Sequence, residues 1–158
     1  VECLTAFASN QNFKEVGVKA VEAIGFCAQQ LVQGTVLPHL RVPDDSGNVG
    51  EFTIDEEHLK YWLPILHGLA DVVGHPHIDV RTSALDRLFN ILLKYGNQFN
   101  CDLWGLIFRK VLLSIFGDIF ETTATSQGQL NGTTEWVTTT CLSAMSHMVE
   151  LFSFFFDR

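Results

Sequence analysis

The sequence predicts an all-α fold of stacked antiparallel helices, and three observations predict it. Apolar residues recur at helical spacing through successive stretches, each bounded by capping or turn-forming residues. Within most stretches the polar residues form one narrow stripe, so each helix has to bury more than half of its circumference against neighbours. The helix starts at His58 and Asp102 stand 44 residues apart, inside the roughly 40–47-residue period of HEAT and armadillo units. Together they specify a HEAT/armadillo-like α-solenoid, one helical segment over residues 1–158.

Taken in order, Val1, Leu4, Phe7 and Ala8 mark a first helical face too short to stand alone. After the break Ser9-Asn10-Gln11-Asn12, a helix near 13–33 shows Glu15, Lys19, Glu22, Gln29 and Gln33 as its polar stripe. Its buried side is Val16, Val21, Ala23, Ile24, Cys27, Ala28 and Leu31. Asn12 is placed to cap it, with Glu15 reaching back from the first turn. The two helices make a hairpin.

Residues 34–57 lose the pattern to Gly34, Pro38, Pro43, Asp44-Asp45-Ser46-Gly47-Asn48 and Gly50, and are expected to form an irregular loop. Between Gly34 and Lys60 six carboxylates stand against two basic groups, a net charge of −4. Two readings are open. The loop is a solvated insertion, or Asp44, Asp45, Glu51, Asp55, Glu56 and Glu57 form an acidic contact site.

Asp55-Glu56-Glu57 start the next helix, since acidic groups suit the dipole of a first turn. It runs towards Gly74-His75-Pro76 with Pro64 inside, a position that costs about 3 kcal/mol unless the helix kinks or restarts there. A kinked first helix is a habit of HEAT repeats. From Asp79 to Tyr95 the polar positions are Asp79, Thr82, Ser83, Asp86, Arg87, Asn90 and Lys94, while Val80, Ala84, Leu85, Leu88, Phe89, Ile91, Leu92 and Leu93 face inward. Gly96 then suits a left-handed terminating residue. A further helix starts at Asn100 to Asp102 and carries Leu103, Trp104, Ile107, Phe108, Val111, Leu112, Ile115, Phe116 and Ile119 inward. A polar loop over 122–134 follows, then a last helix from Glu135 to about Asp157 whose Phe-rich end has nothing after it to cover it.

The bulk composition excludes several functions. At 158 residues the chain holds one domain's worth of core, with 47% hydrophobic and 18% charged residues. No apolar run reaches the roughly 18 residues of a membrane span, so direct membrane insertion is not expected. A formal charge of −8 without a Lys/Arg block lacks the footprint of a nucleic-acid binder or a polybasic membrane patch. Cys3, Cys27, Cys101 and Cys141 are too far apart for a zinc knuckle or redox motif and read as buried thiols of a reducing compartment. Asn131-Gly132-Thr133 fits a glycosylation acceptor only as a common short pattern. Lacking an initiator Met, the chain reads as a piece of something longer.

No catalytic, cofactor-binding or metal residue, and no cofactor, is expected. His75-Pro76-His77 looks superficially like a metal motif, but a zinc site needs three converging ligands and no partner cluster lies at ligand spacing. It reads as a polar turn between helices. No Gly-x-Ser-x-Gly or Gly-Lys-Ser/Thr occurs. The sharpest polar pair is Asp79 and Arg81. It reads as an inter-repeat ladder, in which the arginine fork bridges neighbours through carboxylates such as Asp79, or as a charge cluster shown to a partner. Trp104, Phe108 and Phe116 read as core first and as a groove for a partner helix second.

One family carries the same combination of residues. Cys3, Phe7-Ala8 and Asn10; Trp62, Pro64, Leu69, Asp79-Val80-Arg81, Ala84-Leu85, Leu88-Phe89, Tyr95-Gly96, Trp104, Phe108 and Ile115-Phe116; and Glu135-Trp136 with Thr139-Thr140-Cys141 span nearly all of the chain apart from its loops. The pattern resembles the large Arf guanine-nucleotide exchange factors of the Sec-seven/BIG family of the trans-Golgi, in the regions downstream of the catalytic exchange domain and most of all the second. The resemblance implies a HEAT-like regulatory array that controls autoinhibition, membrane recruitment or the response to activated Arf-family GTPases. It implies no exchange activity in this chain, because the catalytic domain with its glutamate finger is not in the sequence. The implied partners are other domains of the same exchange factor and an Arf-family GTPase, at the cytoplasmic face of the Golgi. A structural solenoid spacer without a GTPase contact is the alternative.

Overall fold

The computed structural model describes residues 1–33, 56–117 and 137–156. Among these residues every regular element is helical: α1 (Glu2–Ala8), α2 (Lys14–Val32), α3 (Glu56–Val73), α4 (Ile78–Tyr95), α5 (Cys101–Ile107) and α6 (Leu142–Phe156). A short 3-10 turn (Gly96–Gln98) follows α4, and π-helical turns extend α5 (Phe108–Leu112) and precede α6 (Val137–Cys141). The loops expected at 34–57 and 122–134 lie outside the described residues, except that Glu56 and Glu57 open α3.

The boundaries of α2, α3 and α4 agree with the apolar periodicity, while their ends are built differently. Asn12 does not cap α2. The Asn10 side chain instead accepts the Asn12 N–H at 2.9 Å, so the turn is already closed when the chain enters the helix through Phe13, which makes no side-chain cap. Gly96 is not left-handed: its φ of −60° and ψ of −24° are ordinary right-handed values. Close approach demands the glycine here. A Cβ on Gly96 would lie 2.6 Å from the Trp104 ring and 2.8 Å from the Phe155 ring. Asn100 does cap α5, accepting the Leu103 N–H at 2.8 Å, which satisfies one of the orphan donors of a helix start. Beyond Ile107 the expected continuous helix is interrupted by its π-turn and resumes over residues 113–117.

Packing follows the apolar stripes. α1 packs on α2 and α3, α2 on α3 and α4, α3 on α4, and α4 on α6. α2 and α4 run in the same direction. Lys14 meets Asp79, Gly17 meets Val80, and Gly25 meets Arg87, in ascending order along both helices. α4 and α6 do the same through Arg81 and Thr140, Asp86 and His147, and Gly96 and Phe155. α1 approaches α3 closely at Gly68, where a Cβ would lie 2.5 Å from Thr5 Oγ1.

One core runs through the stack, with Ile24, Trp62, Leu66, Leu69, Leu85, Leu88, Phe89, Leu92, Leu103, Ile107, Leu112 and Leu151 fully buried. Each such side chain contributes roughly 1.5–3 kcal/mol. A chain of ring contacts crosses it, Trp62 to Phe99 at 5.1 Å, Phe99 to Trp104 at 5.6 Å, Trp104 to Phe155 at 5.4 Å, and Phe108 to Phe152 at 5.4 Å. Trp104, Phe108 and Phe116 are half-buried against this core. Of the residues expected inside, Val16 is exposed. Cys3 and Cys101 are exposed and Cys27 and Cys141 half-buried, all as free thiols, so the expectation of four buried cysteines is corrected. The short α1 and the start of α5 are too slender to cover their own thiols.

Candidate interaction surface and its buried polar node

Asp79 and Arg81, two residues apart, are turned about 200° from one another around α4. Asp79 faces outward and pairs with Lys14 of α2 at 3.3 Å, both side chains more than half exposed, a contact worth less than about 1 kcal/mol. Arg81 turns inward and is only 4% exposed. Its Nη1 donates to the carbonyl oxygens of His75 at 3.0 Å and Pro76 at 2.8 Å, and its Nε donates to Thr140 Oγ1 at 3.0 Å. The guanidinium thus ties the α3–α4 turn to the start of α6. Its partners on these bonds are two carbonyls and a hydroxyl. Residue spacing cannot show that the carbonyls of a turn converge, nor that Thr140 arrives from 59 positions away.

The same turn is joined to the one between α1 and α2. His75 Nε2 lies 3.4 Å from the Asn10 carbonyl oxygen, and His75 Nδ1 accepts the His77 N–H at 3.1 Å. His77 Nε2 lies 2.9 Å from the Gln11 carbonyl oxygen. Both imidazoles therefore engage backbone carbonyls, in keeping with a polar inter-helix turn. Among the described residues no three His, Cys, Asp or Glu side chains converge as metal ligands. Burial pushes the His75 imidazole below its ordinary pKa, and the charges of His77 and Arg81 act in the same direction while the Asn10 carbonyl partly opposes them. His147 completes the polar contacts between α4 and α6. It stacks on Phe89 at 5.0 Å and lies 3.2 Å from Asp86 and 3.7 Å from Glu150.

Exposed apolar side chains lie mainly on the first hairpin and on α6. Leu142, Met145 and Val149, spaced three and four residues apart, form an exposed stripe, with the half-exposed Phe152, stacked on Phe108, and Phe154 beyond it. Phe7, Phe13 and Phe26 of the first hairpin are also exposed. No described helix is long and apolar enough to cross a membrane. Of the acidic-loop candidates, Asp44, Asp45, Glu51 and Asp55 lie outside the described residues, and for Glu56 and Glu57 only the helical backbone is described.

No protein-family model matches the chain, and no solved structure matches it. Curated relatives match along nearly its whole length. Brefeldin A-inhibited guanine nucleotide-exchange protein 3 of Arabidopsis thaliana is 32% identical over 174 aligned positions, which cover 99% of this chain and 10% of that protein. Protein 2 of the same name and organism is 27% identical, again over 99% of the chain and 10% of its own length. Brefeldin A-inhibited guanine nucleotide-exchange protein 1 of Homo sapiens is 29% identical over 97% of the chain and 8% of its own length. The chain therefore spans about a tenth of the length of the curated relatives it matches. From end to end, its sequence belongs to the family of the brefeldin A-inhibited guanine nucleotide-exchange proteins and corresponds to one segment of them.

Proposed function

We propose that this chain is a non-catalytic, regulatory segment of an Arf guanine-nucleotide exchange factor, built as a short run of HEAT-like α-solenoid and lying downstream of the catalytic domain. One observation carries the reading. α2, α4 and α6 pack side by side in one direction, and α6 carries an exposed apolar stripe of Leu142, Met145 and Val149. A helical stack that carries such a stripe is suited to hold protein rather than to transform a small molecule. In this reading the segment acts at the cytoplasmic face of the Golgi, through other domains of its own exchange factor and an activated Arf-family GTPase. Asp44, Asp45, Glu51, Asp55, Glu56 and Glu57, with the outward Asp79, are the acidic residues on which to map a contact first.

The test is retention of an Arf-family GTPase by the immobilised chain, with the GTP-locked form compared with the GDP form at low and moderate salt. Preferential retention of the GTP form is the expected result, and neutralising the acidic loop should weaken it most at low salt. A folded, helical chain that retains neither form assigns the segment the role of a structural spacer. Nucleotide exchange on Arf catalysed by the chain alone would overturn the non-catalytic reading.

A further inference from the structure

The outward face of α6 carries three bands side by side, set by the roughly 100° turn between successive helical residues. Leu142, Met145 and Val149 form the apolar band, and the half-exposed Phe152 continues it. Next to it Ser146 and Ser153, seven residues apart and both exposed, make a low band. Beyond the serines stand Glu150 and, from α4, Asp86, with side chains 62% and 51% exposed. Val149 rises on one side of the serines and Glu150 on the other, and Phe154 completes the lining of an open groove of about 760 Å³.

Among the described residues, the charge beside this groove has one sign. α6 holds no Lys or Arg between Leu142 and Phe156. On α4, Arg81 is buried against the α3–α4 turn, Arg87 lies against Gly25 of α2, and Lys94 stands over the Tyr95 ring at 5.1 Å. Arg109 and Lys110 belong to the π-turn that meets α6 at Phe152, across the apolar band from Glu150. His147 faces Asp86 at 3.2 Å and Glu150 at 3.7 Å, and a neutral imidazole has one hydrogen for two carboxylates. An occupant of the groove therefore has to bring cations. A second copy of α6 brings neither Lys nor Arg and adds carboxylates of its own. An anionic bilayer asks for basic residues beside the apolar band, where this edge has Glu150 and Asp86. A partner helix meets both demands, because apolar residues three and four apart, beside a serine every second turn, accept the side-chain ridge of another helix at close approach.

We propose that the outward face of α6 receives an amphipathic helix of a partner protein, with the partner's apolar ridge on Leu142, Met145 and Val149 and its Lys or Arg side chains beside Glu150 and Asp86. The inference rests on the reading of this chain as a segment that holds protein, and it does not require a GTPase contact. From Leu142 to Phe152 the band is about 15 Å long at 1.5 Å per residue, a length matched by about three turns of partner helix. The apolar band supplies the adhesion, and the carboxylate edge selects the partner: a helix of the same apolar pattern with an acidic flank is repelled there.

The test is fluorescence-anisotropy titration of two labelled synthetic helices with the intact chain. Both peptides carry leucines three and four residues apart, and they differ in their flank, Lys and Arg in one and Glu in the other. The expected result is about tenfold tighter binding of the basic helix, a preference that narrows as salt rises. Val149→Gln should weaken the basic helix several-fold, and Glu150→Lys should remove most of the preference. Glu22→Lys, the same change of charge at an exposed position of α2, should leave binding within about twofold. Equal binding of the two helices, or binding of neither by a folded chain, overturns the proposal. So does an equal loss in Glu150→Lys and Glu22→Lys, which marks unspecific attraction to a chain of net charge −8. Self-association in sedimentation that Val149→Gln abolishes assigns the face to a second copy, and binding to anionic vesicles that Val149→Gln abolishes assigns it to lipid; either overturns the proposal. A chain that retains no Arf-family GTPase yet keeps the peptide preference fails the GTPase contact alone, whereas loss of the preference fails this proposal alone.

Discussion

Arg81 contributes to stability by satisfying groups that would otherwise be orphaned: two carbonyls of the α3–α4 turn and the Thr140 hydroxyl. Arg81→Met leaves all three without this donor, and the expected loss is about 2–4 kcal/mol in urea unfolding, against about 1 kcal/mol for Thr140→Val. A double-mutant cycle between them should show coupling, because both changes remove the same bond. His75 gives stability a pH dependence of definite sign. Its folded-state pKa lies below the ordinary 6.5, so its contribution is fully present above about pH 6.5. It declines as acid protonates the unfolded chain first, then levels off once the folded ring also takes the proton. Melting temperature followed from about pH 8 to about pH 5.5 should fall over this window, and His75→Gln should flatten the fall. At Gly96 the missing methyl group is filled by the Trp104 and Phe155 rings, and Gly96→Ala should cost about 1–3 kcal/mol through overpacking. Periodicity locates this glycine at the end of a helix. It cannot reveal that a ring from residue 155 lies upon it, so the sequence points to the familiar left-handed cap where tight packing is the real constraint.

At the scale of elements, the long helices were legible because one polar stripe repeats along each, and α2, α3 and α4 fall within a residue or two of the boundaries that stripe predicts. What was hidden is how the shorter ones are assembled. The Phe108–Leu112 and Val137–Cys141 turns each insert extra backbone into a helix, an adjustment set by tertiary packing with no residue signature of its own. The π-turn in α5 leaves Phe108 stacked on Phe152 and Leu113 exposed, the sides on which the apolar pattern places them. Asn100 illustrates the opposite case, a cap readable from its place before an apolar run. Asn100→Ala should destabilise the chain by about 1 kcal/mol, measurable as a lower urea midpoint at unchanged slope. Pro64 lies within α3 with its ring exposed, so the helix tolerates there the missing N–H bond that makes proline rare in helix interiors.

At the scale of the molecule, the apolar stripes call for helices packed on one another, and the contacts identify which ones pack: α2 on α4 and α4 on α6. The apolar stripe of α6 should be nearly silent in the stability of the isolated chain. Val149, 69% exposed, can be changed to Gln for less than about 0.5 kcal/mol, while the same change should reduce retention on a hydrophobic resin. The acidic contact candidates depended on local composition, which reports charge but not position, and for that reason they stay a proposal. The common direction of α2, α4 and α6 has an electrostatic consequence as well. Their N-terminal ends gather along one edge, the edge that carries His77, Arg81 and Thr140. Aligned peptide dipoles place about half a positive charge at each such end, and Glu15 and Asp79 in the first turns of α2 and α4 answer it. The C-terminal ends of α1 and α3 reach the same edge through the turns that hold Asn10 and His75, so helix ends of opposite sign alternate along it and their dipoles offset one another across the stack.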